Sequence, residues 1–257
     1  SSRNLLLYGE PWNGGNDPNS DLKVRKGNIY ELVDQDVGVF NDSIRNGIRG
    51  NMNEAGGGFI FNAGSAEAVK IGVKGSVANS TPDGPWAAKF AYDPVQTINY
   101  MSAHDNLCIG DKIKADGFAI TDQTGEPAEA INNLGMGILL TSQGVPFMHG
   151  GDEMLRYKDD GTEFAEHAHN SYMWGTEIND VEWSWKQDNK PSVDYYKALI
   201  DLREAHKAFR LENNDQINSY VQSSVTDGRV VNKIDGIAMS EDGLSEPWGD
   251  IIVVYNP

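Results

Sequence analysis

Basic residues are scarce in this chain of 257: 21 Lys and Arg stand against 38 Asp and Glu, a formal net charge of −17. A surface of that sign repels phosphate backbones and anionic lipid, so nucleic acid and membrane surfaces are excluded as partners, whereas an uncharged ligand is indifferent to it. Cysteine is nearly absent, with Cys108 alone. It cannot close an internal disulfide and offers no cluster for zinc or iron–sulfur binding, and it leaves the redox compartment and the localisation open. No apolar run approaches the roughly 18 to 20 residues that cross a bilayer. No long apolar stretch follows Arg3, so the start predicts neither an anchor nor a signal peptide.

The absent motifs narrow the chemistry. No Gly-x-Gly-x-x-Gly follows an apolar run, which argues against a dinucleotide-binding sheet. No Gly-x-Ser-x-Gly elbow supports a serine hydrolase. His167 and His169, with Glu163 and Glu166 nearby, lack the His-Glu-x-x-His spacing and read as a solvated loop rather than a metal site. No Asp-rich loop has the spacing that calcium asks for, so the expectation is that no cofactor is required.

What is present is a series of short apolar runs that end in polar residues. Leu5 to Tyr8 leads to Glu10 and Trp12, Val37 to Phe40 leads to Asn41 and Asp42, Ile98 to Met101 leads to His104-Asp105-Asn106, and Val145 to Met148 leads to His149 and Asp152. Unbroken runs of this length suit parallel strands covered on both faces. Helical spacing over Glu126–Ser142, stopped by Gly144, and over Val193–Phe209 alternates with them, and Leu22–Val33 is a further helix candidate. Residues 51–94 are Gly-rich and read mostly as loop, with Trp86 at the centre. From about Asn213 the texture becomes short β-like runs, Ile217–Val225, Arg229–Ile234, Ile237–Met239 and Ile251–Tyr255, punctuated by Asp-Gly turns.

Functional side chains at the C-terminal ends of successive parallel strands belong to a (β/α)₈ barrel or a doubly wound sheet. The missing glycine fingerprint favours the barrel. A complete barrel takes eight units in roughly 250 residues, and four are legible here, so the chain reads as half of one, part of something longer. Strands at both ends then leave open edges, which predict self-association.

Two strand ends hold the candidate chemistry. Glu10 stands next to Pro11 and Trp12, where an indole that keeps water away would raise the carboxyl's pKa and suit it to donate a proton. Trp12 itself is a natural platform for a sugar ring. His104, Asp105 and Asn106 put an imidazole, a carboxylate and an amide at one strand end, able to bond several hydroxyls and stabilise a developing positive charge. Glu10 and Asp105 are expected to face one pocket from neighbouring strands. Cys108 reads as a small buried residue.

The ordered set Tyr8-Gly-Glu-Pro-Trp12, Phe40-Asn-Asp-Ser-Ile-Arg45-Asn-Gly, Ile98-Asn-Tyr-Met-Ser-Ala-His-Asp-Asn106, Gly144-Val-Pro-Phe-Met-His-Gly-Gly-Asp-Glu153, Asn170-Ser-Tyr and Tyr195 to His206 resembles the type I pullulanases, retaining glycoside hydrolases of the α-amylase superfamily (glycoside hydrolase family 13). The resemblance implies that residues 1–212 form the C-terminal half of a catalytic barrel, strands five to eight, and that 213–257 begin a C-terminal all-β domain. It implies an α-glucan substrate (pullulan or branched maltooligosaccharides) cleaved at α-1,6-glucosidic bonds. It makes Glu10 the general acid/base, Asp105 the carboxylate that grips sugar hydroxyls and stabilises the cationic ring, His104 its hydrogen-bonding neighbour, and Trp12 and Asn106 wall residues. The family's nucleophile is an Asp of the fourth strand, and no counterpart occurs here; Ala115-Asp-Gly-Phe-Ala-Ile120 lacks the Arg and the second Asp. The chain by itself is therefore expected to be inactive. One local departure follows Asn106, where Leu107-Cys-Ile-Gly-Asp-Lys112 keeps the family's spacing to Asp111 but lacks the usual aromatic before it. A non-catalytic glucan-binding or structural module and an isoamylase or glycogen-branching relative remain alternatives.

Overall fold

A computed structural model describes residues 6–12, 24–35, 37–82, 87–120, 127–158, 161 and 166–257; Leu5, Leu22, Trp86, Glu126 and Glu163 lie outside these. Four parallel strands, β1 (Leu7–Gly9), β2 (Val37–Asn41), β3 (Thr97–Tyr100) and β4 (Val145–Phe147), lie side by side in chain order. Consecutive order without reversal is the barrel pattern, whereas a doubly wound sheet reverses at a switch point. The connections carry helices α1 (Asp42–Arg49), α2 (Ala66–Val73), α3 (Ile109–Ala115) and α4 (Pro127–Thr141). After β4 come three single-turn helices, α5 (Glu166–His169), α6 (Thr176–Asn179) and α7 (Trp185–Asp188), and then the long α8 (Lys190–Ala205). The fold is half of a (β/α)₈ barrel followed by an antiparallel sheet.

Coverage on both faces holds for the central strands only. All of β3 is buried, whereas β1 is exposed throughout and β4 is intermediate, because each outer strand has a neighbour on one side alone. Helix α1 starts where β2 ends: Asn41 closes the strand and its Oδ1 accepts from Ile44 N at 3.3 Å as the N-cap. Its Nδ2 donates to Asn99 Oδ1 and to Ser76 Oγ, both at 2.9 Å, so a buried amide ladder ties β2 to β3 in register. Ile44, Ile48, Val69, Val73, Met136, Leu139 and Tyr196 build the main core between the helices, and Val230 and Tyr255 of the second sheet join it.

That second sheet is β5 (Val221–Thr226), β6 (Arg229–Ile234) and β7 (Ile251–Tyr255), antiparallel in that order. Two expected strands are partly or wholly helical. Ile217 to Tyr220 belong to α9 (Asn214–Tyr220), and Ile237 to Met239 lie in α10 (Gly236–Glu241). Their caps decide it: Asn213 accepts from Gln216 N and Asp235 from Ala238 N, each at 2.9 Å, and a satisfied helix start outweighs the β preference of isolated isoleucines. Residues 29–35 form a 3₁₀ turn rather than an α-helix over Leu22–Val33, and the connection over 51–94 contains α2. The α8 helix starts before Val193 and stops at Ala205, with a separate 3₁₀ turn over Lys207–Phe209.

The barrel and the sheet meet at a buried acid. Glu246 Oε1 lies 2.6 Å from His206 Nδ1, its Oε2 accepts from Ala208 N at 3.0 Å, and Trp248 covers the imidazole with ring centroids 3.7 Å apart. Burial alone would raise the Glu246 carboxyl, but the bonds from His206 and from the Ala208 and Trp248 N–H groups outweigh it and hold it below its usual 4.5. A depressed carboxyl contributes stability above its unfolded pKa and loses it as pH falls through the folded value. The melting temperature of wild type should therefore exceed that of Glu246→Gln most at neutral pH, and the gap should close as pH drops below 4.5. A gap independent of pH would assign the effect to packing alone. Among the described residues no helix is long and apolar enough to cross a membrane.

Candidate active site

Register places Tyr8, Phe40, Tyr100 and Phe147 on one face of the parallel sheet, one from each strand. Phe40 is their hub, with ring centroids 5.8 Å from Tyr8, 4.9 Å from Tyr100 and 5.1 Å from Phe147, all edge-on. Above this layer opens a cavity of about 640 Å³, lined also by Glu10, Trp12, Asp42, Arg45, Arg49, Met52, His104, Asp105 and Asn106. All five residues singled out in the sequence line this one cavity.

Glu10 emerges directly after β1, and His104-Asp105-Asn106 sits on the loop between β3 and α3. The two carboxyls are therefore not on adjacent strands, since β2 stands between them. His104 joins them: its Nε2 is 3.3 Å from Glu10 Oε1 and its Nδ1 3.1 Å from Asp105 Oδ1. The three side chains thus cluster at the cavity mouth, with one ligand atom of each within 4.8 Å of the others, and all three are exposed. His167, by contrast, packs on Trp174 with ring centroids 3.8 Å apart.

The expectation that Trp12 shields Glu10 from water is not met. Half of the Glu10 side chain is exposed, because it stands at the rim of an outer strand, and Trp12 stacks instead on Phe40 with centroids 6.5 Å apart. Asn106 turns the chain in the left-handed region, at φ 63°, and its Nδ2 reaches Met52 Sδ at 3.8 Å.

Several cavity residues were given no role from sequence. Arg45 donates from Nη1 to Tyr100 Oη at 2.5 Å. Burial raises the Tyr100 phenol to about 12 although Arg45 pulls it down, so it stays protonated and can donate. Asp42 accepts from Lys26 Nζ at 2.6 Å. The run Phe40-Asn-Asp-Ser-Ile-Arg45 was the available signal, since it directly follows a strand. The arrangement as a whole offers a carboxyl that can exchange a proton, a second carboxylate for hydroxyls, and aromatic faces for the C–H surface of a sugar.

No protein-family model matches the chain. It is similar to the pullulanase of Bacillus subtilis (strain 168), 30% identical over 256 residues that cover 98% of this chain and 32% of that protein. Among solved structures, the pullulanase from Bacillus acidopullulyticus aligns with a TM-score of 0.80 and 35% identity over 98% of this chain and 28% of that one. The pullulanase from Paenibacillus barengoltzii in complex with maltohexaose and alpha-cyclodextrin aligns with a TM-score of 0.81 and 31% identity over 98% and 36% respectively. The chain is thus pullulanase-like along nearly its whole length, and it spans about a third of the relatives it matches.

Proposed function

We propose, from the premise that this chain is pullulanase-like, that it supplies the acid/base half of a retaining glycoside hydrolase that opens α-1,6-glucosidic bonds in pullulan and branched starch-derived glucans. One observation carries the reading: Glu10 and Asp105, from different strand ends, meet through His104 over a cavity floored by aromatic rings. Glu10 protonates the glycosidic oxygen as the bond to the leaving sugar breaks, then takes a proton from the water that releases the product. Asp105 holds ring hydroxyls and balances the oxocarbenium charge, His104 bonds a neighbouring hydroxyl, and Trp12 and Asn106 line the sugar. Retaining hydrolysis needs two carboxyl groups and no cofactor.

The pullulanase resemblance assigns Asp105 to the stabilising role and the nucleophile to an Asp outside this chain. Asp116 of the Ala115–Ile120 look-alike supports this, because it accepts from Gly56 N and pairs with Lys112 at the end of α3, away from the cavity lining.

Product analysis tests the reading. The full-length protein that carries this chain should release maltotriose from pullulan, and the 257-residue chain alone should give no repeated turnover. Products other than maltotriose would count against the debranching specificity, and sustained turnover by the chain would place the nucleophile within it. Calorimetry with a branched maltooligosaccharide should show binding that Trp12→Ala weakens; no heat from the wild-type chain would argue against a glucan cleft in it.

A further inference from the structure

The loop that carries His104, Asp105 and Asn106 is held from below by two buried cations. Arg49, the last residue of α1, is 1% exposed. Its Nη1 donates to Met101 O at 2.9 Å and to Leu107 O at 2.6 Å, the carbonyls on either side of the stretch that bears the three side chains. Its Nη2 donates to Met52 O at 2.8 Å. Lys158, also buried, donates from Nζ to Asn106 O at 2.7 Å and to Ser171 Oγ at 3.2 Å. Asn106 is where the loop turns with a left-handed φ, a conformation that asparagine adopts more readily than other non-glycine residues. The same loop is stitched to α3, where Ile109 N donates to Ser102 Oγ at 2.8 Å, Cys108 N to Asp111 Oδ2 at 2.9 Å and Lys158 N to Asp111 Oδ1 at 2.6 Å.

We propose that Arg49 and Lys158 are positioning residues, which fix the Asp105 carboxylate relative to Glu10 by pinning the loop at both ends and at its turn. The inference rests on the reading of the site as a glycosidase. Neither side chain is assigned to substrate. A planar guanidinium reaches two carbonyls in fixed directions where an ammonium cannot, so charge alone does not substitute for it.

Buried arginines also serve as plain structural caps, and this molecule contains one for comparison. Arg203 in α8 donates from Nη1 to Leu140 O at 2.9 Å and to Ser142 O at 2.7 Å, and from Nη2 to Gly144 O at 2.7 Å. It makes as many carbonyl bonds as Arg49 yet holds the end of α4, outside the cavity lining. The two arginines therefore separate stability from positioning.

In the full-length protein that carries this chain, Arg49→Lys, Lys158→Met and Arg203→Lys are to be compared for melting temperature and for kcat and KM on pullulan. All three should melt lower than wild type. Arg49→Lys alone among the arginine variants should lose kcat, by about 100-fold, the scale of a 1 Å misplacement in an active site. KM should change little, because what is lost is alignment in the transition state. Lys158→Met should shift kcat in the same direction, and it carries the test if Arg49→Lys does not fold. Wild-type kcat in either folded variant, or an equal loss in Arg203→Lys, would overturn the proposal. Wild-type protein with no turnover on pullulan would instead remove the glycosidase reading, and the positioning role with it.

Discussion

Glu10→Gln in the full-length protein should lower kcat on pullulan by on the order of 10³-fold, within the range that a lost general acid/base costs. The substitution keeps the shape of the side chain and its contact with His104 but removes the exchangeable proton. Glucan affinity measured by calorimetry should therefore persist while turnover collapses. The loss in kcat/KM, which reports the bond-breaking step, should also depend on the leaving group: a substrate whose departing alcohol is acidic needs little protonation and should be far less impaired than pullulan, while its kcat stays low because Glu10 also activates the water. A kcat on pullulan within tenfold of wild type, or an equal loss of kcat/KM on both kinds of substrate, would remove Glu10 from the acid role. Asp105→Asn should differ in kind, since a carboxylate that stabilises the cationic ring is needed whatever the leaving group is.

The elements that position this chemistry were legible where a run of apolar residues stopped at polar ones. β2 and β3 follow that rule closely, and the loop after β3 brings His104 and Asp105 to the cavity as the strand end demanded. Ile217 and Ile237 were misread because a local cap, set by Asn213 and Asp235, decides between helix and strand where hydrophobic periodicity is too short to do so. Helix α2, Ala66–Val73, went unread because it spans only eight residues, with Gly72 in its last turn, and follows a glycine-rich stretch. The solvent exposure of Glu10 was not legible either, since the distance between Trp12 and Glu10 across a turn depends on where Phe40 offers a stacking partner. Least visible were Arg49 and Lys158. Their partners are backbone carbonyls, which every residue carries, so no pattern of side chains announces them.

Gly110 carries the largest expected effect on stability. Gly110 lies in the first turn of α3, and a Cβ there would stand 2.2 Å from Arg156 O and 3.0 Å from Leu155 O. Both are backbone atoms, which cannot swing aside as a side-chain tip can. The segment after β4 runs directly against α3 here, and the Cys108 thiol donates to the same Arg156 carbonyl at 3.1 Å. Cys108 and Gly110 thus form one close-packed seam, and burial with Asp111 alongside pushes the thiol well above its usual pKa, so it stays protonated and can donate. Gly110→Ala should cost about 3 kcal/mol, the upper end for forcing a methyl into a packed interior, read as a lower urea midpoint at unchanged slope. Gly150→Ala is the control, because a Cβ at Gly150 meets nothing within 4 Å. Stability unchanged in Gly110→Ala would mean that the seam opens freely. If the seam is rigid, the same variant should also lower kcat, because Asp111 ties α3 to both Cys108 and Lys158, and Lys158 in turn holds the turn next to Asp105.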